Sequence, residues 1–219
     1  MTFDLGLDWK KGRHSVDQDL LGKYARKKEE DRDWVEDTDE VRYDGVYRYA
    51  FNAPHFTYGS WGWESVFTGP EPEENPFSPG LLKTGAGYGQ RHERFFVDHL
   101  IAEGRLGASA RRRYGSPYRH ELTEWETGLE AFARLEQKIV ERWSWFMQYE
   151  AFSEFEDLGH VTNLGTAGIT SHLSKHLVFE LGLRVYYETR PDDVTKSPND
   201  GYNSLSGRQD TLIGIVYDW

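Results

Sequence analysis

The chain has no cysteine, two methionines and eight prolines in 219 residues, and it lacks any long apolar run. Without cysteine there is no disulfide and no thiolate chemistry. That suits an oxidising periplasm and a reducing cytosol equally, so it leaves the compartment open. Without roughly 20 consecutive apolar residues, a membrane-spanning helix is excluded. A membrane-spanning barrel is not, because alternation dilutes the apolar residues of each strand. Basic residues are outnumbered, with 26 Lys and Arg against 37 Asp and Glu, and the formal net charge of -11 argues against a general nucleic-acid binder. A secretory leader is also missing from view: Met1 is followed at once by Thr2-Phe-Asp-Leu-Gly-Leu-Asp-Trp9, which already alternates.

Aromatic residues, by contrast, are abundant: 8 Trp, 13 Tyr and 12 Phe. Their placement follows a two-residue period, and successive side chains of a strand point to opposite faces. In the last stretch Thr211, Ile213, Ile215, Tyr217 and Trp219 share one face, while Asp210, Leu212, Gly214, Val216 and Asp218 share the other. An outer-membrane strand ends this way, with its apolar side to lipid and an aromatic ring at the interface.

The same period recurs along the chain. It predicts strands over Phe3–Trp9, about 17–27, Val41–Phe51, around Trp61 and Trp63, Leu82–Gly89, about 97–111, Glu124–Leu135, Arg142–Glu150, about 160–172, Leu177–Glu188 and the terminal stretch. Glu124–Leu135 has the composition of a helix, but its two-residue period favours a strand. All eight prolines fall between these strands, as expected of residues that cannot donate to a ladder. Connections alternate in length, short near 11–16, 52–55, 91–95, 137–140 and 173–176, and longer near 28–40, 68–80, 112–121, 153–160 and 190–207. Short periplasmic turns and long outer loops are what a bacterial barrel shows.

The expected fold is therefore all-β: one antiparallel up-and-down transmembrane β-barrel over residues 1–219, with about eleven visible strands. Bacterial single-chain barrels usually have an even number, so a further strand and a signal peptide are expected upstream of Met1. Tyr47, Tyr49, Trp61, Trp63, Trp143, Trp145, Leu181, Leu183, Ile213, Ile215, Tyr217 and Trp219 are the expected lipid-facing residues. The expected lumen-facing residues are Arg42, Asp44, Arg48, Glu64, Glu103, Arg105, Glu124, Glu126, Glu130, Arg134, Arg142, Glu150, Glu180, Arg184 and Glu188. They carry both signs, so they either pair to fill a narrow lumen or line a hydrated pore. Gly85, Gly87 and Gly89 leave space on one wall for a small solute or for bulky neighbours such as Phe132, Phe146 and Tyr186.

The order of elements resembles the salt-induced outer membrane protein family, a bacterial family of unknown function. Thr84-Gly-Ala-Gly-Tyr-Gly-Gln90 is similar to that family's central Gly-x-Gly strand. Glu103–Tyr114, Trp143–Asp157, Thr162–Leu173, Leu177–Glu188 and Gly214–Trp219 extend the resemblance over nearly the whole chain. It implies an outer-membrane barrel that lacks its first strand here, and it implies no reaction.

No catalytic constellation emerges, and no cofactor or metal site. A membrane hydrolase needs Ser, a His base and an orienting partner. No Gly-x-Ser-x-Gly occurs, and a lone His99 near a strand is more often structural. His172 and His176 have ligand-like spacing but no evident third ligand. Arg111, Arg112, Arg113 and Arg119 flank an outer loop and suit lipopolysaccharide phosphates. The acidic loops 29–40 and 71–74 suit divalent cations or plain solvation. The sequence thus predicts a bacterial outer-membrane protein without catalysis, with a structural or small-solute and ion permeation role. Its expected partners are membrane lipid, lipopolysaccharide and the barrel-assembly machinery. An outer-membrane lipid-modifying enzyme and a soluble small-ligand barrel, with its apolar face turned inward, are the alternatives.

Overall fold

The computed structural model describes residues 2–28, 34–66, 77, 80–114, 125–173, 177–189 and 204–215. These form eleven strands: β1 Thr2–Lys11, β2 His14–Lys28, β3 Trp34–Asn52, β4 His55–Ser65, β5 Gly80–His92, β6 Leu100–Tyr114, β7 Trp125–Val140, β8 Trp143–Glu154, β9 Val161–His172, β10 Leu177–Glu188 and β11 Ser204–Ile215. They make a single up-and-down antiparallel sheet in chain order, with no helix among the described residues. Among the described residues β1 and β11 are its edges and do not pair with each other, so the sheet is not closed.

Local chemistry sets the register. Gly12 takes a positive φ of 61°, which a residue without Cβ adopts freely, and this closes the tight Gly12–Arg13 turn. Lys11 then pairs with His14, and the ladder runs back to Thr2 opposite Lys23. β10 shows the clean case. Its partners run from Leu177↔Ile215 to Glu188↔Ser204 on one side and from Val178↔His172 to Glu188↔Thr162 on the other, without a shift.

Several strands are longer than the periodicity predicts. β3 starts at Trp34, inside the charged stretch expected to be a loop, because β2 extends far enough to pair with it: Lys28↔Trp34 and Lys23↔Glu40, with a bulge at Ala25/Arg26. β7 continues through Gln137–Val140, where the periodicity predicts a turn, since β8 lies opposite as far as Val140↔Trp143. β6 runs on through Arg112–Tyr114, and β11 begins already at Ser204. In each case ladder hydrogen bonds to an existing neighbour outweigh a polar sequence. The helix-like composition of β7 is overridden in the same way, because β7 lies between β6 and β8 and pairs with β8 from Gly128↔Glu154 to Val140↔Trp143. No described strand contains proline.

The chain groups into two compact units. Unit 1 is Met1–Phe51, Thr57–Gly87 and Ala108–Thr127; unit 2 is Asn52–Phe56, Tyr88–Gly107 and Gly128–Trp219. In unit 1 the Phe3 ring covers Gly22, the Trp61 ring covers Gly45 and the Tyr114 ring covers Gly80. In unit 2 Phe56 covers Gly89, Phe152 covers Gly128 and Phe146 covers Gly168. Each ring occupies the place of a missing side chain on another strand, a pairing that fixes register and fills a wall one layer thick. Gly89 is therefore filled by Phe56, not by the more distant Phe132, Phe146 or Tyr186; Phe132 is engaged elsewhere, under Arg105.

Candidate functional site

In β6 and β10 exposed apolar residues alternate with covered charged ones. On one face, large apolar residues stand in the open: Leu106 is 62% exposed, Met147 53% and Leu183 51%. Leu5, Leu7, Trp9, Leu82, Trp125, Leu129, Trp143 and Ile169 are exposed as well. On the alternate positions, charged residues are covered: Glu103 is only 6% exposed and Glu188 8%.

The charged face of unit 1 is a series of ion pairs between strands. Arg48 donates to Asp17, linking β3 to β2. Arg42 donates to Asp44 and lies 3.9 Å from Glu64, which accepts from Lys83 on β5. Arg113 Nη1 donates to Glu126 Oε1 at 2.6 Å, joining β6 to β7. Charges removed from water are tolerated only when paired or hydrogen-bonded, and adjacent strands supply the partner at the spacing of one ladder rung.

Unit 2 combines charges with aromatic rings. Glu103 accepts from Arg91 Nη1 at 3.2 Å and lies 3.4 Å from Arg105 Nε. The Arg105 guanidinium sits 3.6 Å above the Phe132 ring, and Arg134 stands 5.7 Å from Phe146. Such stacking suits a planar, weakly hydrated cation. Glu150 accepts from Gln148 at 2.7 Å. Glu130 and Arg184 are half-buried, whereas Arg134 is exposed and Arg142 lies exposed in the β7–β8 turn. Glu124 and the side chain of Glu180 lie outside the described residues, as do the side chains of Ile213 and Ile215 and all of Tyr217 and Trp219. Of the other residues expected on the lipid side, Tyr47, Trp143 and Leu183 are exposed, and Tyr49, Trp61, Trp63, Trp145 and Leu181 are half-buried.

Periodicity misses one group altogether. His160 lies in the β8–β9 connection, off every strand. Its Nδ1 is 3.1 Å from Glu154 Oε2, at the end of β8, and its Nε2 is 3.1 Å from Glu188 Oε1, at the end of β10. The Tyr186 hydroxyl donates to the other oxygen of Glu188 at 3.1 Å. The hydrogen bond to Glu188 raises the His160 pKa above its ordinary value; burial opposes this, and Glu154 adds to the rise. The carboxylates occupy opposite edges of the ring and do not converge on one point. Among the described residues no three acidic or imidazole groups are placed to hold a metal ion. Register brings the group together: Glu188 pairs with Thr162, and Thr162 with Phe152, so the carboxylates at the ends of β8 and β10 flank the residues leading into β9.

Two other histidines face aromatic partners across the strands. His14 Nδ1 is 2.6 Å from the Tyr47 hydroxyl and its ring packs on Tyr49, while His55 stacks on Tyr88. His99 is exposed in the β5–β6 connection with a φ of 64°, and His172 closes β9; His176 lies outside the described residues. Arg112 is exposed and Arg111 half-buried, and Arg119 and residues 71–74 lie outside the described residues.

No known protein family, no curated protein and no solved structure matches the chain.

Proposed function

We propose that the chain forms the wall of a β-barrel in a bacterial outer membrane, as its resemblance to the salt-induced family implies. Its charged face would line a narrow interior, and its role would be structural or in the permeation of small solutes and ions. One observation carries this reading: large apolar side chains such as Leu106, Met147 and Leu183 stand exposed within their strands, while Glu103 and Glu188 on alternate positions are covered. In water that arrangement forgoes about 1.5–3 kcal/mol for every large apolar side chain left exposed. In a bilayer the same face is solvated by acyl chains, and the nine strands between the edges have neighbours on both sides to satisfy their backbone groups. A soluble ligand-binding barrel requires the reverse, with its apolar residues turned inward.

The interior in this reading is a paired network. Glu103, Glu126, Glu64 and Asp17 each hold a cation from a neighbouring strand. A hydrolytic role finds no base at His160, because both of its ring nitrogens are committed to carboxylates.

The test is refolding of the whole chain into micelles and into vesicles containing lipids brominated at defined depths. Quenching of tryptophan fluorescence, together with heat-dependent mobility on a gel, supports the reading. A chain that is folded and monodisperse without detergent overturns it. Conductance in a planar bilayer then separates the permeation role, which shows salt-dependent steps, from the structural one, which is silent.

A further inference from the structure

The contacts at His160 impose a proton count. A carboxylate offers only lone pairs, and a neutral imidazole carries one N–H. With Glu154 at Nδ1 and Glu188 at Nε2, both contacts are hydrogen bonds only if the ring carries two protons. The ring is then an imidazolium between two anions, and all three side chains are largely covered.

The connection around it is short and internally bonded. Glu154 N donates to the His160 carbonyl at 3.3 Å, His160 N to the Asp157 carbonyl at 2.9 Å and Gly159 N to Asp157 Oδ1 at 2.9 Å. Two kinds of tie fasten it to the end of β10. The neutral tie is Thr189, whose Oγ1 donates to the Gly159 carbonyl at 2.6 Å and accepts from Val161 N at 2.7 Å. The charged tie is His160 to Glu188.

We propose that His160 is a proton-operated latch: as an imidazolium it fastens the Phe155–His160 connection to the end of β10 through Glu188, and loss of one proton to solvent releases it. Among the described residues the groups facing the ring are Glu154 from β8 and Glu188 from β10, the latter backed by the Tyr186 hydroxyl. Asp157, within the connection, is turned to Gly159 N. Once the ring is neutral, one nitrogen presents a lone pair to a carboxylate, and two carboxylates are left in a covered position around an uncharged ring. That arrangement is repulsive, so the ring swings away. The Thr189 bonds carry no charge and persist, so the connection pivots on Thr189 instead of unfolding. The elevated pKa of His160 puts the release above the ordinary histidine range.

The latch does not depend on the membrane reading, and its test works in micelles or in free solution. Amide exchange of the whole chain is followed from pH 5.5 to 9 and corrected for intrinsic base catalysis, while the His160 ring nitrogens are titrated by NMR. The expected result is a loss of protection of about tenfold or more over Phe155–His160, with a midpoint above 6.5 shared by the ring titration, while Val161 N, held by Thr189, stays protected. Glu188→Gln should shift that midpoint down, and His160→Gln should give a flat profile. A ring midpoint at or below 6.5, protection that does not change with pH, or an unchanged midpoint in Glu188→Gln each overturns the proposal. Should His160→Gln fail to fold, the native titration and Glu188→Gln decide it alone.

Discussion

Trp63 on β4 and Tyr114 on β6 meet across the strand between them: the indole Nε1–H donates to the Tyr114 hydroxyl at 2.6 Å, and the Tyr114 ring covers Gly80 on β5. A Cβ at Gly80 would collide with the Tyr114 ring, so the ring as placed needs a residue without a side chain there. Gly80→Val should therefore force the rings apart and destabilise the protein by about 1–3 kcal/mol, the usual cost of overpacking. Trp63→Phe keeps the ring and loses the donor, and should cost about 1 kcal/mol. Thermal midpoints read from heat-dependent gel mobility order the variants; equal midpoints for native protein and Gly80→Val contradict the contact.

That contact also marks what the sequence makes legible. The alternation of Trp63 with Glu64 and the strand character of β10 follow from a two-residue period that no helix shares. The start of β3 does not, because Trp34–Glu40 is dense in charge and becomes a strand only through pairing with Lys23–Lys28 of β2. Ring-over-glycine pairs are equally hidden, since they depend on register, and the period gives phase but not register. His160 is hidden for a third reason. Its partners lie 6 and 28 residues away, and they come together only after both flanking strands have paired with β9.

Glu103 is the anchor of the charged face in unit 2. Glu103→Gln leaves Arg91 and Arg105 facing a neutral amide and should cost about 3 kcal/mol, in the range for breaking a covered pair. Arg91 is the more exposed of the two cations, so Arg91→Gln should cost less, about 0.5–1 kcal/mol. A double-mutant cycle of Glu103 with Arg105 should give a coupling of about 1 kcal/mol or more. Zero coupling would mean that the pair is solvated in the native protein.

Phe152, 2% exposed, is the most buried large side chain described, and it lies over Gly128. Phe152→Ala should cost about 3–5 kcal/mol, as for other buried rings removed from a packed site. Gly128→Ala places a Cβ about 2.7 Å from that ring and against a backbone carbonyl that cannot rotate away, and should cost about 1–3 kcal/mol. The double variant should be more stable than the sum of the two losses predicts, because the new methyl group enters the space the ring leaves.

Folding raises the pKa of His160, so the folded protein binds this proton more tightly than the unfolded chain. The stability it contributes is then fully present below about 6.5, the unfolded value, and is lost as pH rises through the higher folded value. Native protein should therefore lose more thermal stability than His160→Gln between pH 6 and pH 9. Parallel pH profiles would show that the ring does not hold its extra proton in the folded state.

The exposed apolar face gives the sharpest contrast between bilayer and water. Leu106, Met147 and Leu183 lie within β6, β8 and β10, away from the strand ends, on the face that alternates with Arg105, Gln148 and Arg184. Replacing each by Arg should cost about 2–4 kcal/mol in vesicles if its position lies near the bilayer midplane. In water the same exposed substitutions should stay within about 0.5 kcal/mol, the ordinary range for surface changes. Trp143→Arg and Trp125→Arg, at the starts of β8 and β7, should cost less in vesicles, about 0–1 kcal/mol, because interfacial positions tolerate charge. A cost that rises toward the middle of each strand in vesicles ties the face to acyl chains. A flat profile assigns its exposure to some other partner.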